Sequence, residues 1–221
     1  MKLSARAALL LCICALAVSG AEAQISLTTL GSPYTQDFNT LATSGTGNVW
    51  TDNSTLLGWY SQFSLVAGNP TTYRADAGAS ATGAIYSWGT GTASERAFGS
   101  VASGTPGTIL NAVRFVNNTG STIGSLLLAY TGEQWRNGGN ATAHQLDFQY
   151  QVGAPGAITD ANTPATGWLD FNSLDFVGPI VGATAAALDG NSAANRTALS
   201  TTLTVTVAPG QEIWLRWLDP N

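Results

Sequence analysis

Gln145 to Val152 alternates without a break, with Leu146, Phe148, Tyr150 and Val152 on one side and Gln145, Asp147, Gln149 and Gln151 on the other. Side chains of a β-strand point to opposite faces with period two, so this stretch reads as a strand with one apolar and one wet face. The same period recurs at Ile25–Leu30, Trp59–Val66 and Thr201–Val207. No stretch longer than a turn has a helical period with caps at both ends. Turn clusters rich in Gly, Asn, Ser and Pro recur at the spacing of a sandwich. The pattern predicts an all-β fold, a two-sheet antiparallel β-sandwich of jelly-roll type.

Gly124 to Arg136, GSLLLAYTGEQWR, is the longest apolar strand candidate. Leu127, Ala129, Thr131, Glu133 and Trp135 share one face, and Leu126, Leu128, Tyr130 and Gly132 the other. Both faces start apolar, which predicts a central strand covered on both sides that carries Glu133, Trp135 and Arg136 towards a rim. Ala112–Asn117 precedes it across Asn118-Thr119-Gly120 and reads as its hairpin partner. Thr201–Val207 and Glu212–Leu218, joined through Ala208-Pro209-Gly210, read as a second hairpin. Short strands are expected at Thr71–Ala75, Ala84–Trp88 and Ala97–Val101. Residues 182–196 read as an extended loop in which Ala183–Leu188 can form one helical turn.

The first 23 residues form a basic start, a short apolar run and Ala21-Glu22-Ala23, the pattern of a cleaved secretory signal peptide. Secretion or cell-surface display is therefore expected, with no membrane span in the mature chain and residues 24–221 as one domain. Cys12 and Cys14 lie inside that signal, so the mature chain offers no disulfide or thiolate ligand. Of the 8 basic and 13 acidic residues, Lys2, Arg6 and Glu22 fall within the signal. Six arginines then face twelve acids, a net charge of −6. Binding to nucleic acid needs clustered cations, so nucleic acid is not an expected partner.

Several of these segments also carry a resemblance. DFNTLATSGTGNVW at 37–50, GWY at 58–60, SERAFGS at 94–100, YTGEQWR at 130–136, LDGN at 188–191 and the closing WLRWLDPN form the set. With them the chain resembles a β-sandwich domain of bacterial secreted and surface proteins. That domain occurs in proteins with PEP-CTERM-type sorting signals and at the front of some multidomain extracellular nucleases and phosphatases. The resemblance implies a further strand after WLRW, whereas this chain stops at Asn221. It thus implies a sandwich lacking its last strand, with an unpaired edge.

Seven tryptophans in one small domain suggest sugar-stacking platforms. Trp59, Trp88, Trp168 and Trp217 sit in apolar patterns and read as core. Trp135 and Trp214 neighbour charges near strand ends and are the ligand candidates. Glu133, Arg136 and Arg216 complete that set, as groups for a sugar hydroxyl or carboxylate or as a cross-strand ion pair. Asp189, Asn191 and Asp219 are oxygen donors suited to a structural Ca²⁺, although Leu188-Asp189-Gly190-Asn191 is equally an ordinary Asp-Gly turn. His144 is the only histidine and has no nucleophile motif beside it.

The resulting expectation is a non-catalytic binding or structural module without a cofactor, with a glycan or cell-surface polymer as ligand. The alternative is the front accessory domain of a secreted nuclease or phosphatase whose catalytic domain lies beyond Asn221. A third reading, a glycosidase, requires Glu133 to face a second acid across a cleft.

Overall fold

The computed structural model describes residues 24–66 and 68–221; the expected signal peptide lies outside them. Fifteen strands follow in order: β1 (Ile25–Leu27), β2 (Asn48–Val49), β3 (Trp59–Phe63), β4 (Thr72–Asp76), β5 (Ala84–Trp88), β6 (Ala97–Val101), β7 (Ile109–Asn117), β8 (Ile123–Glu133), β9 (Arg136–Asn137), β10 (Gln145–Gly153), β11 (Leu169–Asp170), β12 (Phe176–Val177), β13 (Ala186–Ala187), β14 (Arg196–Val207) and β15 (Glu212–Asp219). Two short 3-10 turns, Asn172–Leu174 and Ala193–Asn195, interrupt them. Among the described residues no helix is long and apolar enough to cross a membrane.

The fold is an all-β sandwich. Its first layer is built on β7, β15 and β10, paired antiparallel. β3 and the parallel β1 share the far edge of β7, and the short β11 and β12 line the outer edge of β10. The second layer contains the β8–β14 ribbon and the sheet β2-β4-β5-β6. Alternation decides which residues meet. Ile109 and Val113 of β7, Ile213 and Leu215 of β15 and Phe148 of β10 pack in the main core with Ile85, Leu203 and Val207 of the second layer. Each fully buried side chain of this kind contributes about 1.5–3 kcal/mol. Trp59 fixes the centre, stacked on Trp217 at 5.9 Å and edge-on to Phe38 at 4.9 Å.

The two hairpins expected from the sequence do not form. β7 pairs with β15 and β8 with β14, so the turns after Asn117 and Val207 carry the chain from one layer to the other. A long two-strand ribbon is thereby folded over a corner, which is the jelly-roll arrangement. Asn117 clamps that corner. It is fully buried and its Nδ2 donates to the carbonyls of Ser121 at 2.8 Å and Val207 at 2.7 Å. A turn motif looks the same locally whether its strands pair or part, so only the partners decide.

β8 is not a central strand either. Among the described residues it hydrogen-bonds only β14, and Leu127 is 75% exposed. Leu126, Leu128 and Tyr130 face the core. Gly132 is required here, since a Cβ would run into the ring of Phe176. The wet face expected on β10 holds for that strand, with Gln145 exposed and Asp147, Gln149 and Gln151 partly so, but not for its neighbours in the layer. Residues 153–168 fold back over the outer face of the first layer, where Ile158 and Ala161 join Tyr60, Leu110, Ala112 and Trp214 in a second cluster. Ala186 and Ala187 pair with β9 in place of a helical turn.

Candidate functional site

Glu133, Trp135 and Arg136 lie where β8 ends and β9 begins. Trp135 is only 3% exposed and packs with Tyr86 and Trp88 on the outer side of β5. Gly190 lies against its ring and Gly78 against its carbonyl so closely that neither position admits a Cβ. The indole Nε1 donates to Glu133 Oε2 at 3.0 Å, and Arg136 donates to the carbonyls of Gly78 and Ala79 at 3.1 and 3.0 Å. Burial pushes the Glu133 carboxyl above its usual range, with Glu95 and Asp189 adding to the effect. Trp135 has no free ring face, so this corner is a closed structural joint.

The three residues considered for Ca²⁺ are not brought together. Asp189 Oδ1 accepts from the Asn191 amide at 3.1 Å, an Asp-Gly turn, and Asn191 Nδ2 donates to Glu95 Oε2 at 2.8 Å. Asp219 sits at the end of β15, where Oδ2 accepts from Ser100 Oγ at 2.7 Å and from Ala102 N at 3.1 Å. Its Oδ1 lies 2.6 Å from His144 Nε2. Asp219 therefore ties β6 to β15, and local sequence cannot show that pairing.

The His144–Asp219 contact makes stability depend on pH. The hydrogen bond to Asp219 lifts the imidazole above its ordinary 6.5, against partial burial, and the charge of Asp219 adds to it. A group whose pKa rises on folding stabilises the fold fully below its unfolded pKa and loses that contribution as pH passes the folded value. Stability relative to a His144→Asn variant is thus expected to be greatest below pH 6.5 and to shrink as pH rises above it. Urea titrations of both proteins across that range measure it; a difference that grows with pH contradicts the pairing.

Trp214 and Arg216 belong to the opposite outer face, that of the first layer. Trp214 is fully buried against Tyr60, with ring centres 4.5 Å apart, and offers no platform. Arg216 is 4% exposed and directs its guanidinium to neutral oxygens: Nε to Gln149 Oε1 at 2.8 Å, and one Nη to the carbonyl of Ala161 at 2.9 Å and to Asn162 Oδ1 at 3.2 Å. Burial pulls it down to about 10, against Asp147 and Asp170.

Over this cation lies Trp168, whose ring centre is 3.9 Å from Arg216 Cζ. Trp168 reads as core in the sequence, yet it is partly exposed and is held by its Nε1 donating to the Pro164 carbonyl at 2.9 Å. Gln149 Nε2 donates in turn to Asp147 Oδ2 at 2.9 Å and Asp170 Oδ1 at 2.6 Å. Burial raises the Asp147 carboxyl, and the charges of Asp175 and Asp170 raise it further. The result is a fixed indole backed by a cation, with an exposed Asp170 and a half-buried Asp147 held by the same amide as the cation. Such a site presents an apolar ring beside hydroxyl acceptors. The WLRW spacing brought Arg216 to notice; nothing local linked it to Trp168.

An open depression of about 690 Å³ lies elsewhere, beside Trp50, Asp52 and Asn69. It offers no comparable ring, because Trp50 is 2% exposed and stacked on Phe98 at 4.9 Å. In comparisons with known proteins, no family model, curated protein or solved structure matches this chain.

Proposed function

We propose that this domain is a non-catalytic binding module of a secreted or cell-surface protein, that its ligand is a glycan, and that the ligand stacks on Trp168. The observation that carries the reading is the partly exposed indole fixed over Arg216 and bordered by Asp147 and Asp170. Sugar recognition pairs an aromatic face for the C–H side of the ring with fixed acceptors for its hydroxyls. The indole is already immobilised from below, so little ordering cost falls on binding.

The dispositions of acids and the histidine favour binding over cleavage. Asp52 and Asp160 both accept from Asn69 Nδ2, and Asp147 and Asp170 both accept from Gln149 Nε2. In each pair an amide fills the space that a scissile glycosidic bond needs between two carboxylates. At Ser100, Asp219 and His144 the carboxylate stands between the hydroxyl and the imidazole, so the histidine is not placed to take the serine proton.

Retention on insoluble cellulose, chitin, xylan and starch tests the site. The protein is expected to be retained on at least one of them, and Trp168→Ala to pass through while still folded by circular dichroism at the assay temperature, with some loss of melting temperature because the indole also packs on the second cluster. Retention of Trp168→Ala equal to that of the wild type contradicts the assignment.

A further inference from the structure

The geometry points to a self-modification at Gln24. Once the chain is cut after Ala23, as Ala21-Glu22-Ala23 directs, Gln24 closes into a pyroglutamyl ring with the help of Arg114. The inference rests on the secretory reading of the first 23 residues. In the step, the freed α-amine nitrogen attacks Cδ of its own side-chain carboxamide. The new C–N bond closes a lactam, the bond from Cδ to the amide nitrogen breaks, and that nitrogen leaves as ammonia with the proton the amine gives up. No oxidant, metal or second reactant is needed.

The fold places a fixed cation on the reacting carbonyl. β1 pairs parallel with β7, Ile25 beside Phe115, and Ile25 is 6% exposed in the main core, so the new terminus starts one residue from that core. Arg114, the neighbour of Phe115 on β7, is 9% exposed, and its Nη2 donates to Gln24 Oε1 at 3.1 Å. A cationic donor on that oxygen draws electrons from Cδ and stabilises the negative charge the oxygen gains as the amine adds. The guanidinium is itself held, with Nη2 2.6 Å from Glu212 Oε1 and Nη1 donating to the Tyr60 hydroxyl at 3.4 Å. It therefore meets the carbonyl without reorganising, and it keeps its charge at every working pH.

The same cation acts on the amine. A freed ammonium on Gln24 would stand near Arg114, whose one salt-bridge partner among the described residues is Glu212. A like charge nearby favours the neutral amine, which is the attacking form. The lactam carries no charge and keeps a carbonyl oxygen for Nη2, so the product suits the site better than the free terminus does.

Intact-mass spectrometry of protein recovered from the medium of a secreting culture tests the site. The expected mass is that of Gln24–Asn221 less one ammonia, with the terminus resistant to Edman degradation until a pyroglutamyl peptidase is added. A second arm does not depend on where the cell cuts the chain. Protein released from an amino-terminal fusion so that it starts at Gln24 is followed by mass for loss of ammonia, beside a peptide of residues 24–30. The folded protein is expected to cyclise about tenfold faster than the peptide and to lose that advantage in urea. A secreted chain that starts elsewhere or keeps a free Gln24 amine, or folded protein that cyclises no faster than the peptide, overturns the proposal.

Discussion

Replacing Glu212 by alanine is expected to cost about 3–5 kcal/mol, because it leaves a buried guanidinium without its counter-charge. Arg114 Nη2 lies 2.6 Å from Glu212 Oε1, with side-chain exposures of 11% and 1%. The same carboxylate accepts from Gly156 N at 3.1 Å and from Trp214 Nε1 at 3.1 Å. It thereby fastens three elements, β7, β15 and the returning loop, on the outer face of the first layer. Three donors lose their acceptor in the variant, and water has little access to replace it. The loss is a large share of the roughly 5–15 kcal/mol that holds a domain together. Urea denaturation measures it, and Glu212→Gln, which keeps acceptor oxygen at the same place, is expected to fall between wild type and Glu212→Ala. A Glu212→Ala variant within 1 kcal/mol of wild type, a tenfold change in the folding equilibrium being about 1.4 kcal/mol, contradicts this account.

Trp135→Ala is expected to act on stability and leave the ligand site untouched. The ring is 3% exposed among Tyr86, Trp88 and the backbone at Gly190, so truncation opens a cavity that rigid neighbours cannot fill. Large aromatic-to-alanine changes of this kind cost about 3–5 kcal/mol. The change also removes the donor at 3.0 Å from Glu133, leaving a half-buried carboxylate near Glu95 and Asp189 less well held. The midpoint of thermal unfolding is expected to drop steeply, with glycan retention preserved below it. Lost retention with an unchanged midpoint would return Trp135 to the role of a platform.

Much of the strand plan is legible in local sequence. β5 and β6 begin and end where turn residues bracket them, and Phe148, Tyr150 and Val152 face the core as their alternation requires. β8 was ambiguous because Leu126, Leu127 and Leu128 are all apolar, and periodicity cannot say which face is covered when both qualify. The corners at Asn117 and Ala208 failed for a related reason: turn chemistry reports a reversal of direction, whereas pairing is decided by a strand some ninety residues away.

The site was half legible. Arg216 stands out as an arginine between two tryptophans, but its partners Gln149, Ala161, Asn162 and Trp168 arrive from two distant segments. Apolar surroundings made Trp168 look like core, and neighbouring charges made Trp135 and Trp214 look like surface. The structure buries Trp135 and Trp214, with Glu133 and Glu212 receiving their indole N–H groups, and leaves Trp168 partly exposed where it packs at the margin of the second cluster.

A glycan-array screen of the purified protein tests the central claim most directly. The account predicts reproducible binding to a defined set of glycans that disappears with Trp168→Ala and survives Arg136→Ala, a change confined to the other outer face. A blank array from protein shown to be folded contradicts it.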